Sequence, residues 1–133
     1  MTVIFSLPRI FFGRALPNWG VVVSHQGSLI GAVIVGTGIP QVCCERELLK
    51  NYFDENGDNG FDYAYRYPGM NKVLQSAGRV IRTSEDIGVV ALLDERFLEL
   101  QYRRMFPREW SQYEVVNVNE VSKRVEKFWN EWL

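Results

Sequence analysis

Two short apolar runs, Leu29–Val35 (LIGAVIV) and Gly88–Leu93 (GVVALL), constrain this chain more than any other feature. Each is nearly continuous, rich in β-branched residues and bounded by turn-forming residues. That is the pattern of a strand covered on both faces in a parallel α/β sheet. Gly36, Gly38 and Pro40 end the first run, and Asp94 ends the second. Elsewhere the period becomes helical. The spacing predicts a helix over Glu45–Phe53, with Leu48, Leu49, Tyr52 and Phe53 on one side and Glu45, Glu47 and Lys50 on the others. A second helix is expected from about Gly69 to Arg82, opened by Pro68, and a third over about Glu95–Met105, stopped near Pro107. Asn56–Gly60 (NGDNG) reads as a loop, and Val115, Val116 and Val118 as a short strand. Val121, Val125, Phe128, Trp129 and Trp132 recur at the spacing of an amphipathic terminal helix docked on a core.

Strand, helix, helix, strand, helix is the rhythm of an α/β domain built on a parallel sheet. Two strands are too few for such a sheet, so the rest are expected upstream or weakly encoded in residues 1–28. The chain is thereby expected to be part of a larger domain. With 133 residues, of which 47% are hydrophobic, it is long enough to bury a real core. Fifteen basic against sixteen acidic side chains exclude a strongly basic nucleic-acid coat or an acidic tail. Cys43 and Cys44 are adjacent, with no CxxC pair for zinc or an iron–sulfur cluster, and are expected as buried small residues of a reduced, cytoplasmic chain. The single histidine, His25, argues against a histidine metal site or a Ser–His–Asp system. Pro8, Arg9 and Arg14 interrupt the apolar opening, so neither a signal peptide nor a membrane anchor is expected.

Several motif-like segments fail on inspection. Gly36-Thr37-Gly38 follows a strand, but Gln41 occupies the place of a dinucleotide fingerprint's third glycine, and Pro40 disturbs the turn. Asp54, Asn56 and Asp58 imitate a calcium loop, yet Gly60 comes one place late and Tyr65 replaces the bidentate glutamate. No Gly-Lys dipeptide occurs, so there is no phosphate loop. Phe61, Tyr63, Tyr65 and Tyr67 alternate; on an extended segment they would share one face able to stack bases, whereas core or helix packing is the commoner use of such rings. Lys72 and Arg66 are candidate backbone contacts for a nucleic acid, set against an ordinary role as exposed charges. What survives is Gln75–Arg82 (QSAGRVIR). On a helix Gln75, Gly78, Arg79 and Arg82 fall at i, i+3, i+4 and i+7, placing an amide and two guanidiniums on one edge beside a gap at Gly78. Guanidinium forks match phosphate oxygens and hold their charge at any working pH, so that edge suits a polyphosphate.

Gln75–Arg82 is similar to motif VI, QxxGRxxR, of superfamily 2 helicases. The surrounding YPGMNKVLQSAGRVIRTSEDIGVVALLDERF resembles the C-terminal helicase domain of the DinG/XPD family, and the resemblance runs from about Gly27 through Trp110. Leu29–Pro40 resembles the strand and turn after motif V, and Asp94-x-Arg96 completes the ordered set. The resemblance implies the second of two RecA-like motor domains, here partial, in an ATP-dependent DNA helicase. ATP and Mg2+ would be held in a cleft shared with a first motor domain, and single-stranded DNA would be the track. It further implies that Arg79 and Arg82 are arginine fingers acting on the transferred phosphoryl group, while Gln75 and Gly78 complete the nucleotide-binding edge; no metal ligand is implied. Asp94 is expected to orient an arginine or cap a strand end rather than act as a base. Residues 1–26 do not match, and Gly20–Ser28 (GVVVSHQGS), where motif V is expected, has no acid. The expected division is therefore a non-matching segment, 1–26, and the C-terminal part of motor domain 2, 27–133. The rival reading is a non-catalytic nucleic-acid-binding or protein-interaction module that retains the scaffold.

Overall fold

The computed structural model describes residues 2–5, 21–25, 28–79, 87–111 and 113–132. These form a five-stranded mixed sheet with helices against it: β1 (Thr2–Phe5), β2 (Val21–His25), β3 (Ser28–Val35), β4 (Val89–Leu93) and β5 (Tyr113–Val116) in the order β2-β3-β4-β1-β5. The helices are α1 (Cys44–Glu55), α2 (Tyr67–Gly78), α3 (Leu100–Arg103) and α4 (Val121–Trp132). Both expected strands form, and they are parallel neighbours, with Gly31 opposite Val89 and Val35 opposite Leu93. The chain is an α/β domain in which this parallel pair is flanked by helices. The remaining ladders are antiparallel: β2 adds to the free side of β3, while β1 lies between β4 and β5.

β4 behaves as its sequence predicts, with four consecutive residues, Val89–Leu92, buried. β3 does not. Ala32 and Ile34 are buried, but Val33 is only partly covered and Val35 is exposed, because β3 lies one strand from the edge and one face is incompletely covered among the described residues. The core joins these strands to Met70, Val73 and Ala77 of α2, to Phe97, Tyr102 and Trp110 from the segment after β4, and to Phe128 of α4. Val121, Val125 and Trp129 pack against it, as the terminal helical period requires.

Two stretches differ from expectation, and a third resolves between two readings. The third helix is broken: a 3-10 turn over Glu95–Leu98 is separated from α3 by Glu99, whose ψ of 140° is extended. The aromatic stretch takes the commoner of its two readings, helix and core packing. Asp62–Arg66 form a π-helical turn that runs directly into α2, so that helix starts before Gly69. Helical winding splits the four rings into two pairs: Phe61 stacks on a buried Tyr65, while Tyr63 and Tyr67 face outward and Tyr63 stacks on Phe53. Finally, Cys43 and Cys44 are exposed free thiols, because α1 turns its first turn away from the core.

The seat of α2 is set by two glycines. A Cβ on Gly38, at a φ of +67°, would stand 2.6 Å from the Gly69 carbonyl oxygen, and one on Gly69 would stand 2.7 Å from that of Thr37. Only backbone without side chains can pass this closely. Gly38→Ala is expected to lower stability by about 1–3 kcal/mol through steric overlap at a left-handed position. Gly78→Ala, whose Cβ would meet nothing within 4 Å, is expected to be neutral or stabilising by less than about 1 kcal/mol. Urea titration of both variants measures the difference.

Candidate functional site

From the Gly38–Gly69 contact, at the carboxyl end of β3, α2 runs back along the sheet to the amino end of β4. There Leu74, Ala77 and Gly78 share a cleft with Val90 and Trp110. Ala77 is buried and anchors this end, while Gln75, Gly78 and Arg79 are all exposed on its outer side. Arg79 is the C-cap residue, and its backbone N–H donates to the Gln75 carbonyl at 3.1 Å. The structure therefore brings three of the four expected site residues onto one solvent-facing edge. Arg82 lies outside the described residues. Among the described residues no carboxylate pairs with the Arg79 side chain.

A second polar cluster occupies the opposite end of the parallel pair. The Asp94 carboxylate, at the exit of β4, accepts the Arg96 backbone N–H at 2.9 Å, Nε at 2.9 Å and Nη2 at 2.6 Å. This fork caps the following 3-10 turn and uses one full side of the guanidinium, so Asp94 does orient an arginine. The Arg96 hydrogen bond holds the Asp94 carboxyl below the usual carboxylate range. Gly36, at a φ of +85°, ends β3 beside it, and a Cβ there would lie 4.0 Å from Asp94 Oδ2. Thr37 is 1% exposed, and its hydroxyl has no hydrogen-bond partner among the described residues.

Neither candidate nucleic-acid cation stands as an open basic patch. Arg66 is half-buried, ion-paired with Asp62 and lies over the rings of Phe61 and Tyr102, at 5.1 and 5.3 Å from their centroids. Burial among rings, with a carboxylate one helical turn away, makes it structural. Lys72 is exposed and has contacts of its own. The fold also depends on a pair that no local pattern announces: Tyr65 donates its hydroxyl to Glu47 Oε1 at 2.5 Å, and that bond to a carboxylate, with burial, pushes the phenol up to about 12. Among the described residues there is no cluster of three or more metal-ligating side chains, and no helix is long and apolar enough to cross a membrane.

The order strand, Gly-Thr-Gly turn, α2 ending in Gln75–Arg79, strand, Asp-x-Arg is now both sequence and geometry. The family model of the helicase C-terminal domain matches residues 22–113, from within β2 to the start of β5. The chain belongs to the helicase C-terminal domain family. Its kind is the DinG/XPD type: it is 32% identical over 98 residues to the ATP-dependent DNA helicase DinG of Photobacterium profundum, an alignment covering 71% of this chain and 14% of that protein. The chain thus spans a small part of its relative's length. No solved structure matches it.

The Asp94 fork carries a signed pH dependence. A carboxyl held low in the fold contributes stability that is full above its unfolded value, near 4, and is lost as pH falls through the folded value. The stability gap between the wild-type chain and Asp94→Asn is therefore expected to be widest near neutrality and to close on acidification below about pH 4. Because Arg96 is half exposed, added salt is expected to narrow it. Urea midpoints of both proteins across pH test this.

Proposed function

We propose that this chain is the C-terminal part of a DinG-type ATP-dependent DNA helicase motor, and that the outer edge of α2 presents motif VI to an ATP cleft completed by a first motor domain. The observation that carries the reading is the joint exposure of Gln75, Gly78 and Arg79 at one helix end, inside the matched region. The Arg79 guanidinium is set in no ion pair among the described residues, and open space at Gly78 leaves room for a ligand or a facing backbone. In this reading Arg79, with Arg82, stabilises charge on the transferred phosphoryl group, and the Gln75 amide hydrogen-bonds its oxygens. The edge carries donors and positive charge but no carboxylate. It fits the polyphosphate of ATP, and it leaves Mg2+ to be held by groups of the other motor domain.

In the same reading single-stranded DNA is the track of the complete protein, which acts in the cytoplasm. Residues 27–133 form the motor-domain part and 1–26 an added segment, although the family match already begins at residue 22. Two of the five strands nonetheless come from within 1–26.

Two outcomes test the proposal. The purified chain is expected to release no phosphate from ATP, with or without single-stranded DNA, because it has no Gly-Lys phosphate loop. In a complete helicase carrying this segment, Arg79→Ala is expected to lower hydrolysis at least about a hundredfold while leaving single-stranded-DNA affinity nearly unchanged, since a finger acts on the transition state. Near-normal turnover in that variant would make Arg79 a surface charge and leave the non-catalytic module as the better account.

A further inference from the structure

α1 is built inside out. None of its 12 residues is buried. The side it turns toward the domain is largely polar. Arg46 Nη1 donates to the Ala64 carbonyl at 2.7 Å, Glu47 accepts the Tyr65 hydroxyl, Lys50 pairs with Asp54 at 2.9 Å, and Asp54 Oδ1 accepts the Gly60 N–H at 2.8 Å. The half-buried Phe53 adds one apolar contact. At 100° per residue the opposite side carries Leu48, Leu49 and Tyr52, which are 70%, 41% and 60% exposed. Leu48 and Tyr52 form an i,i+4 ridge, with Leu49 and Tyr52 beside it at i,i+3, which is the surface one helix offers to another. Isolated exposed apolar side chains are ordinary, but a contiguous row along one helix face is not.

Charge selects the occupant. The outward side of α1 also carries Glu45 and Glu55, both exposed, while its two cations, Arg46 and Lys50, are engaged with the Ala64 carbonyl and Asp54. A nucleic-acid backbone would meet like charge here. We propose that the Leu48–Leu49–Tyr52 face of α1 docks an amphipathic protein helix whose apolar stripe is flanked by lysine or arginine. Leucine-sized side chains of that helix pack beside the Leu48–Tyr52 ridge, and its flanking cations meet Glu45 and Glu55.

The test uses the whole chain and two synthetic helical peptides of equal length, both with leucine at heptad spacing. One carries lysine at the flanking positions, the other glutamate. In isothermal titration the lysine peptide is expected to bind and the glutamate peptide not. Leu48→Asn and Tyr52→Asn are each expected to weaken binding at least about tenfold, and Glu45→Lys with Glu55→Lys together by a similar factor that shrinks with added salt. These side chains are exposed, so circular dichroism is expected to show the fold retained, with melting lowered only slightly by the poorer helix propensity of asparagine and by the loss of the first-turn acid Glu45. The proposal is overturned if the lysine peptide does not bind, if both peptides bind equally, or if Leu48→Asn leaves binding unchanged. It is also overturned if sedimentation shows a dimer that Leu48→Asn dissolves, which would make a second copy the occupant. Binding of oligo(dT) that is lost in Tyr52→Asn would make the occupant a nucleic acid instead.

Discussion

The passage of two backbones at Gly38 and Gly69 fixes the rest of the arrangement. The turn after β3 and the first turn of α2 meet with no side chain between them, so α2 starts against the carboxyl end of the parallel pair and must finish at the other end. Met70, Val73 and Ala77 then fall into the core, and the helical period sends Gln75, Gly78 and Arg79 outward. The polar edge is a consequence of a helix whose register is pinned at its far end. A methyl group at either glycine would shift that register before it touched any residue of the edge.

What the sequence makes legible follows from how local each signal is. β4 is readable because continuous apolar residues in a short run have few alternatives to a covered strand, and the α2 edge is readable because i, i+3, i+4 spacing is a property of the helix alone. The orientation of α1 is not local. Its period marks an apolar side, but which side meets the domain depends on Ala64, Tyr65 and Gly60, which supply a carbonyl, a hydroxyl and an amide at the inner side. The break at Glu99 has no glycine or proline to announce it. It arises because Asp94 captures the Arg96 amide and side chain and tightens the first turn into 3-10 geometry. The mixed character of the sheet was hidden for a different reason: β1 and β2 are short, and their pairing is a long-range choice that neither segment's own period specifies.

The aromatic stretch shows how winding decides chemistry. Alternation along an extended chain would gather all four rings, but the π-helical turn puts Phe61 and Tyr65 on one side and Tyr63 and Tyr67 on the other. Phe61 of the inner pair, with Tyr102, flanks the Arg66 guanidinium, which Asp62 also engages, so this cation is committed inside the domain. The outer pair continues through Phe53 to Tyr52, so the rings that remain exposed adjoin the apolar face of α1 rather than the Gln75–Arg79 edge.

Three arginines, Arg66, Arg96 and Arg79, have three different electrostatic fates. Arg66 is paired with Asp62 in a half-buried nest of rings, and Arg96 is held by the bidentate Asp94 fork; in both, an internal carboxylate already engages the guanidinium. Recruiting either to an external phosphate would first require breaking a charge-assisted pair and leaving its carboxylate uncompensated, which is costly where that carboxylate is partly buried. Arg79 carries no such debt among the described residues. It stands at the end of a helix, beside a residue with no side chain, and its charge is not matched by a paired carboxylate there. Arg79 is thus one of the exposed cations, with Arg104, Arg108 and Lys123, that no ion pair engages among the described residues, and it alone of these stands beside Gln75 and Gly78.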